Sequence, residues 1–184
     1  MSISTIIKTI KPFEKLLIDQ FQEAENCHDV PLINKTNYFA TAHPMKHKIQ
    51  SYGYGITEKR KKLKKEYLGI SGPELKKLRE SGAEIEQLIS IPTIAFTGDT
   101  TIDAVINNEE FLKSKILIME CTHFNDSTVE DSIHFQQIVD NIDKFQNKWI
   151  ILCHLSQKYR RMYDIKTDLA KLSPQQRQKI IIWL

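Results

Sequence analysis

Two residues whose side chains suit metal binding each follow a short apolar run of the chain. Asp99 comes shortly after the run 94–96, and His154 directly follows the run 149–153. Apolar runs of this length are typical of buried strands. A carboxylate and an imidazole at the ends of core strands are well placed to bind a metal ion in a cleft. Because a metal site needs more ligands than these two, the sequence raises the question of where the others lie.

Length and composition set mild bounds on the fold. The 184 residues can bury one good core, or at most two small ones. An apolar content of 41% and a charged content of 27% are typical of a soluble globular protein. A net charge of +3 does not by itself indicate a nucleic-acid partner. No apolar run approaches the ~18–20 residues of a transmembrane helix, so we expect no membrane partner.

The cysteine pattern indicates the compartment. Cys27, Cys121 and Cys153 are an odd number of thiols with no close pair among them. This argues against a disulfide framework and for reduced thiols that serve as small core residues. The first residues carry Lys8 and Lys11 but lack the apolar core and cleavage site of a signal peptide. We therefore expect a cytoplasmic location.

The spacing of apolar residues predicts a change of pattern along the chain. Helical spacing predicts a helix over 11–26, followed by strands over 34–42 and 49–56. The second strand alternates with Gly53 and Gly55, which suggests close backbone approach. After Pro92 the predicted elements are a strand at 94–96, a short helix within 101–113, a strand at 115–120, a helix over 129–146, a strand at 149–153, a helix around Leu169 and Leu172, and a strand at 180–184. Alternating strands and helices indicate α/β layers.

A strongly basic segment follows the strand predicted at 49–56. Six of the seven residues 59–65 are lysine or arginine. Ser71 and Gly72 then break the chain, and Pro73 at a first-turn position with Glu74 close behind predicts the start of a helix. We expect that helix to end at 81–82. Taken alone, the basic segment is most simply a solvated charge run on an exposed hairpin.

Four short strings of the sequence occur in an informative order. They are 47–54 (His-Lys-Ile-Gln-Ser-Tyr-Gly-Tyr), 96–100 (Phe-Thr-Gly-Asp-Thr), 119–122 (Met-Glu-Cys-Thr) and 153–159 (Cys-His-Leu-Ser-Gln-Lys-Tyr). They resemble the His-x-x-x-x-x-Gly-Tyr, Thr-Gly-Asp-Thr, Glu-Ala/Ser-Thr and His-x-Ser-Ala-Arg-Tyr motifs of ribonuclease Z. This family consists of metallo-β-lactamase-fold endonucleases that remove the 3′ trailer from precursor tRNA. Each motif alone is weak, but their order and spacing fit together across 13–184.

The resemblance implies an α/β fold of the metallo-β-lactamase-like, αββα type. In that fold two β-sheets lie face to face with helices outside, and each half of the chain supplies one sheet and its helices. This sequence resembles the C-terminal half only. We therefore expect 1–184 to form a single incomplete domain, with one mixed β-sheet flanked by helices and a projecting basic arm over 57–90. The apolar inner face of the sheet would be left exposed, which favours association or aggregation.

The resemblance also implies ligand roles for three residues. His47 would bind one zinc ion, His154 would bind a second, and Asp99 would bridge them. Two metal ions can polarise a phosphate and supply a hydroxide nucleophile. Glu120 would orient a ligand histidine through a hydrogen bond, or simply cap a strand end. For His47 and His154 the alternative is a core histidine that is hydrogen-bonded to the backbone.

The sequence departs from the family in three respects. It has no His-x-His-x-Asp-His string, the family's main ligand cluster, so each zinc would keep only two protein ligands instead of the usual three. We therefore expect the chain alone to bind zinc poorly and not to cut RNA. The family's catalytic histidine aligns with Ser132, which leaves His134 as the candidate catalytic residue, or else as a surface histidine of its helix. Lys158 replaces an arginine and keeps its charge, but not the planar fork that suits phosphate.

The basic segment and its Gly-Pro break resemble the flexible arm with which the family grips the body of the tRNA. A projecting basic segment suits RNA phosphates, and its contribution should weaken as salt rises. The residues expected to bind RNA are Lys59, Arg60, Lys61, Lys62, Lys64, Lys65, Gly72, Pro73 and Lys158.

Three classes of function remain open. The first is a zinc-dependent ribonuclease Z-like hydrolase acting on precursor tRNA, completed by a partner chain that supplies the N-terminal half or by a second copy in a homodimer. The second is an RNA-binding half-domain, or a remnant, without catalysis; a piece of a longer reading frame is a further explanation. The third is another metallo-β-lactamase-fold hydrolase acting on small esters, against which the basic arm and Gly72-Pro73 argue.

Overall fold

A seven-stranded mixed β-sheet dominates the computed structural model, which describes residues 30–32, 35–124, 131–156 and 163–183. The strands lie in chain order and are β1 (Val30–Leu32), β2 (Lys35–Met45), β3 (Ser51–Leu63), β4 (Glu86–Phe96), β5 (Ile116–Glu120), β6 (Trp149–Cys153) and β7 (Ile180–Ile182). Strands β1 to β4 pair antiparallel, and β4 to β7 pair parallel. The helix predicted over 11–26 lies outside the described residues.

Six described α-helices accompany the sheet. They are α1 (Gly72–Glu80), α2 (Ile102–Ile106), α3 (Glu109–Lys113), α4 (Phe135–Asp140), α5 (Tyr163–Leu169) and α6 (Pro174–Gln178), with short 3₁₀ turns at Lys65–Tyr67 and Ile142–Lys144. None of these helices is both long and apolar enough to cross a membrane.

The main core lies between one face of the sheet and helices α2 to α5. Its helical side chains include Val105, Phe111, Ile138 and Ile165, and each of these four is 0% exposed. The strands contribute Ala95, Leu117, Met119, Ile150 and Leu152 to the same cluster. Helices α2 to α5 all contribute buried side chains to this cluster. They form a helical layer against one face of the sheet, which agrees with the predicted sheet flanked by helices.

The opposite face of the sheet carries a second apolar cluster made of strand residues. Its buried members are Ala40, Ile56, Ile94, Ile116, Ile118 and Ile151. None of them is more than 7% exposed, so the expectation of an exposed apolar inner face is wrong at these positions. All five residues of β5 are buried, because both faces of the sheet are shielded from solvent at its centre. Trp183, directly after β7, is 52% exposed.

Strand β3 runs close to helix α3 because two of its positions are glycine. A Cβ atom at Gly53 would lie 2.7 Å from the Phe111 ring and 3.0 Å from the carbonyl oxygens of Phe96 and Thr97. A Cβ atom at Gly55 would overlap the Glu110 carboxylate. The close approach predicted from the alternating glycines is therefore confirmed.

The Glu110 carboxylate uses the space beside β3 to join three elements. Thr57 Oγ1 donates to its Oε1 at 2.7 Å, and His43 Nε2 lies 2.8 Å from its Oε2. The His43 ring also packs edge-on against Phe111, with ring centroids 5.0 Å apart. This polar brace ties β2 and β3 to helix α3.

Strands β3 and β4 form a hairpin that is much longer than the strands predicted at 49–56 and 94–96. Their pairing runs from Tyr54 opposite Phe96 to Leu63 opposite Glu86, so residues 59–63 of the basic segment are themselves part of a strand. The apolar pattern missed this extension, because lysine and arginine side chains are exposed there and only the backbone ladder holds the strand. The predicted arm, 57–90, falls within this hairpin, and its role in RNA binding stays a prediction.

The tip of the hairpin carries helix α1, which begins and ends as predicted. Ser71 is its N-cap, Pro73 lies in its first turn, and the Glu74 carboxylate accepts a hydrogen bond from the Ser71 backbone N–H at 3.2 Å. Ser81 is the C-cap, and Gly82 follows with a φ of 85°. The pairing of Ser71 with Glu74 at the start of α1 is a capping box, which stabilises the start of a helix independently of a buried core.

Two predicted helices differ from those in the structure. Helix α4 covers only part of the predicted 129–146, because His134 has an extended backbone and is the N-cap. Buried Ile133 therefore lies before the helix and not on its apolar side. Residues 101–113 form two short helices instead of one. Asn108 separates them, because it is the N-cap of α3 and its side chain accepts a hydrogen bond from the Phe111 N–H.

Replacing Gly53 by alanine should destabilise the fold by about 1–3 kcal/mol, since the new methyl group meets backbone carbonyls that cannot rotate away. Urea unfolding of the chain measures this difference. Gly72→Ala is a matched control, because a Cβ atom there meets nothing within 4 Å. A Gly53→Ala chain as stable as the Gly72→Ala chain would contradict the close approach of β3 to α3.

Candidate metal centre

Three adjacent parallel strands end at the same edge of the sheet, and each brings one chemically useful side chain there. Asp99 follows β4, Glu120 is the last residue of β5, and His154 follows β6. The carboxyl ends of parallel strands form the edge at which α/β proteins place their sites. Two of these side chains, Asp99 and His154, are therefore brought together as the apolar runs of the sequence suggested.

The three side chains form a compact cluster. His154 Nδ1 lies 3.2 Å from Asp99 Oδ1 and 3.8 Å from Glu120 Oε2, and one ligand atom from each residue lies within 4.8 Å of the other two. The Asp99 and His154 side chains are 51% and 60% exposed, whereas that of Glu120 is 3% exposed. The cluster thus has two groups that face solvent and one buried carboxylate beside them.

Two hydrogen bonds hold the buried Glu120 carboxylate in place. The Thr100 N–H donates to Oε1 at 2.5 Å, and the Thr122 hydroxyl donates to Oε2 at 2.9 Å. Burial raises the pKa of the Glu120 carboxyl, and the negative charge of Asp99 adds to this, while both hydrogen bonds and His154 act in the opposite direction. The sequence indicated Glu120 but not its donors, because a backbone N–H twenty residues away leaves no signal in a motif.

The loops that carry the cluster have special backbone conformations. His154 has a φ of 58°, the only positive φ of a non-glycine residue in the described part of the chain. Gly98, just before Asp99, has a φ of 62°, and a Cβ atom there would lie 2.7 Å from the Tyr52 carbonyl oxygen. A glycine is therefore required at residue 98, where the Asp99 loop lies against β3.

His47 lies in the turn between β2 and β3, and its Nδ1 accepts a hydrogen bond from the Ile49 N–H at 3.4 Å. Among the described residues, the cluster of potential ligands contains Asp99, Glu120 and His154 but not His47. The turn is nevertheless attached to the Asp99 loop, because Ser51 Oγ donates to the Asp99 carbonyl oxygen at 2.8 Å. A ligand role for His47 stays a prediction.

His134 is buried, with 9% of its surface exposed, so the alternative of a surface helix histidine is wrong. It is the N-cap of α4, and its N–H donates to Gln137 Oε1 at 2.9 Å. The imidazole ring lies 5.3 Å from that of His123, and the two residues form a parallel β-bridge. The catalytic role of His134 stays a prediction. Ser132 Oγ is buried without a hydrogen-bond partner among the described residues.

The basic side chains of the hairpin differ in their partners. Lys59 Nζ lies 4.3 Å from the centre of the Phe39 ring, and Arg60 and Lys64 pair with Glu58 and Glu84. In the described part of the chain, no carboxylate pairs with Lys61, Lys62 or Lys65. Because side chains alternate along a strand, Lys59 and Lys61 lie on one face of the hairpin, and Arg60 and Lys62 lie on the other.

The remaining residues predicted to bind RNA lie at the tip of the hairpin or outside the described part. Gly72 and Pro73 are exposed in the first turn of α1. Lys158 and Cys27 lie outside the described residues.

Burial raises the pKa of the Cys121 thiol, and burial with the nearby Glu120 and Asp99 charges raises the pKa of Cys153 to about 11. Both thiols are therefore protonated at neutral pH, which suits a packing role.

The fold places the chain in a structural class. No family model matches the chain. Igni18, a metallo hydrolase from Ignicoccus hospitalis, is similar in structure with a TM-score of 0.51 at 12% identity, over 98% of this chain and 69% of that one. The metallo-β-lactamase fold protein YhfI from Bacillus subtilis has a TM-score of 0.48 at 11% identity, over 96% and 60%. The chain has the α/β fold that the sequence predicts, with the similarity to Igni18 extending over nearly its whole length.

Two plant proteins are similar to this chain in sequence. The chain is 45% identical over 136 residues to tRNase Z TRZ1 of Arabidopsis thaliana, covering 70% of this chain and 48% of that protein. It is 35% identical over 143 residues to the chloroplastic tRNase Z TRZ2 of the same plant, covering 73% and 40%. The chain is ribonuclease Z-like, which confirms the resemblance. It spans about half the length, or less, of these relatives.

His154→Gly should be more stable than His154→Ala by about 1 kcal/mol, because a φ of 58° is unfavourable for a residue with a Cβ atom. Both variants lose the imidazole, so the difference in their free energies of unfolding isolates the backbone. The same pair of substitutions at exposed Lys148, where φ is not positive, should favour alanine. If alanine were also preferred at residue 154, the left-handed backbone would be wrong.

Proposed function

We propose that this chain supplies one part of a zinc-dependent ribonuclease Z centre, which removes the 3′ trailer from precursor tRNA by hydrolysis of a phosphodiester bond. The observation that carries the proposal is the cluster of Asp99, Glu120 and His154 at three adjacent strand ends, in a chain 45% identical to a tRNase Z. The reducing, cytoplasm-like compartment expected from the cysteines belongs to the same proposal.

The donor atoms of the cluster suit zinc. Imidazole nitrogen and carboxylate oxygen are both zinc ligands, with metal–ligand distances of about 2.0–2.2 Å. Two atoms that bind the same ion therefore lie at most about 4 Å apart. The separations of 3.2 Å and 3.8 Å around His154 Nδ1 fall within that limit. In this proposal Asp99 and His154 hold metal, with His47 as a further ligand for a second ion.

A bound zinc ion supplies polarisation of the phosphate and a water molecule of lowered pKa. The residues of the chain have separate tasks around it. Asp99 and His154 are half-exposed, so they can reach both metal and substrate. Glu120 is buried and held by Thr100 and Thr122, so its negative charge stays fixed 3.8 Å from His154 Nδ1. We assign proton donation to His134, because serine at residue 132 cannot act as a general acid at neutral pH.

The β3–β4 hairpin is the proposed RNA-binding element. Lys61, Lys62 and Lys65 have no carboxylate partner among the described residues, so RNA phosphates would not have to displace one. The strand alternation presents positive charge on both faces of the hairpin. A hairpin that is basic on both faces suits contact with the outside of a folded RNA better than a groove that is basic on one side.

Zinc binding by the chain alone is proposed to be weak. The sequence contains no His-x-His-x-Asp-His string, and both oxygens of Glu120 already accept hydrogen bonds. A catalytic zinc normally has three protein ligands and a water molecule. A partner chain carrying the missing histidines, or a second copy of this chain, would complete the site.

RNA binding without catalysis is the second candidate function, and one observation favours it. Ser132 stands where the family's catalytic histidine aligns, whereas the basic hairpin is fully formed. A chain that grips RNA without cutting it would need the hairpin but not the proton donor. The two candidate functions therefore differ in whether the completed metal site cleaves RNA.

The deciding experiment mixes the chain with a separately expressed N-terminal half of the Arabidopsis relative and measures zinc content and cleavage of a precursor tRNA. We expect zinc uptake and trailer removal by the mixture, and neither by the chain alone. Asp99→Asn in the same mixture should abolish zinc uptake, since an amide is a much weaker ligand than a carboxylate. RNA binding without cleavage by a zinc-loaded mixture would select the second candidate.

Replacing Lys61 and Lys62 together by glutamate should weaken tRNA binding and lower the salt dependence of the affinity. Each lost phosphate contact removes about 0.7–0.9 from the slope of log affinity against log salt. The measurement is a binding titration at several salt concentrations. The control replaces exposed Lys144 and Lys148 by glutamate, which gives the same charge change at residues outside the hairpin. Equal effects of the two double substitutions would show net charge, not the hairpin, to be responsible.

A further inference from the structure

The turn that carries His47 belongs to a closed ring of contacts at the edge of the sheet. We call residues 46–51 the His47 turn and residues 131–134 the Asp131 segment. The ring passes through residues that no motif singled out as well as through Glu120. Its members, in order, are Lys46, Thr100, Glu120, Thr122, Ile133, Asp131 and Lys48.

One side of the ring connects the His47 turn to the buried carboxylate. Thr100 Oγ1 donates to the Lys46 carbonyl oxygen at 3.4 Å, and the Thr100 N–H donates to Glu120 Oε1 at 2.5 Å. Thr100 directly follows Asp99, whose carbonyl oxygen accepts the Ser51 hydroxyl at 2.8 Å. The His47 turn is thus attached to the Asp99 loop at both of its ends.

The other side of the ring connects Glu120 to the segment that carries Ser132 and His134. The Thr122 hydroxyl donates to Glu120 Oε2 at 2.9 Å, and the Thr122 N–H donates to the Ile133 carbonyl oxygen at 3.0 Å. The Ser156 N–H in turn donates to the Thr122 carbonyl oxygen at 3.1 Å, which ties in the loop after His154. Every contact on this side involves the backbone or the buried carboxylate.

An ion pair between Lys48 and Asp131 closes the ring. Their side chains are 74% and 28% exposed, so this contact lies at the surface, unlike the bonds to Glu120. It is the contact that joins the middle of the His47 turn to the Asp131 segment. The hydrogen bonds donated by Thr100 and Ser51 attach the two ends of the turn to the Asp99 loop.

We propose that Lys48 and Asp131 are positioning residues whose ion pair holds the His47 turn in place beside the Asp99 loop. The proposal rests on the proposed function, in which His47 binds metal beside that edge. Neither residue touches metal or substrate in this scheme. Their effect passes through the turn, so the affinity for metal depends on a charge pair that lies outside the ligand set.

Exposure of the pair has a measurable consequence. Exposed ion pairs are weak and are screened by salt, with a Debye length of about 8 Å at physiological ionic strength and about 3 Å at 1 M. The His47 turn should therefore loosen as salt rises, while the hydrogen bonds around Glu120 persist. Loss of one exposed pair corresponds to a change of about two- to fivefold in a local equilibrium.

The test compares four forms of the full chain: wild type, Lys48→Glu, Asp131→Lys, and the exchanged pair with both substitutions. Hydrogen–deuterium exchange is followed in peptides that contain 46–51, with peptides from β5 as the internal reference. Each single substitution should speed exchange of the His47 turn about two- to fivefold at low salt, and the exchanged pair should restore it. Lys113→Glu, which breaks the exposed 2.7 Å pair with Glu109, should leave the turn unchanged.

A zinc titration of the same four forms, each mixed with the separately expressed N-terminal half, gives the second measurement. The single substitutions should weaken zinc binding about two- to fivefold, with recovery in the exchanged pair and equal thermal stability throughout. Unchanged exchange in both single variants, or no recovery in the exchanged pair, would overturn the positioning role. If the wild-type chain and its mixture with an N-terminal half bind no zinc, the metal proposal fails, while the exchange measurement still decides the positioning role.

Discussion

The buried carboxylate of Glu120 is the group on which the arrangement of the site depends. A carboxylate removed from water is costly unless hydrogen bonds compensate for the lost hydration. Thr100, from the loop after β4, and Thr122, from the loop after β5, each provide one bond, and His154 lies beyond β6 at 3.8 Å. One buried group therefore links three strand ends that are far apart in the sequence. The exposed side chains of Asp99 and His154 therefore lie on a support formed by the buried Glu120 carboxylate and its hydrogen-bond donors.

Strand β3 connects this site to the basic hairpin. Its start follows the His47 turn, its middle passes helix α3 at Gly53 and Gly55, and its far end carries the lysines. A strand of 13 residues spans roughly 40 Å. Under the proposed function, the hairpin therefore contacts RNA well away from the cut bond. The length of one strand separates binding from chemistry, and the brace around Glu110 keeps that strand against the core.

The elements that the sequence predicted best are those buried on both faces. Parallel strands β5 and β6 are continuous apolar runs, so their ends, and with them Glu120 and His154, follow from the pattern alone. The outer part of the β3–β4 hairpin left no such pattern, because its ladder is exposed. The buried position of His134 was missed because an N-cap and a helical face cannot be told apart by apolar spacing. The ring around Glu120 depends in part on the backbone N–H groups of Thr100 and Thr122, which any residue type other than proline supplies.

The number of available ligands argues that the proposed catalysis and the proposed RNA binding are separable. The described edge offers one imidazole, one accessible carboxylate and one carboxylate whose oxygens already accept hydrogen bonds. A catalytic zinc ion takes three protein ligands, and each of two ions would compete for this same set. The hairpin needs none of these groups, because its ladder and capped helix are formed by local and antiparallel contacts. Under the proposed function, loss of the metal would therefore stop catalysis at this edge of the sheet, while the basic strand would retain its shape and charge.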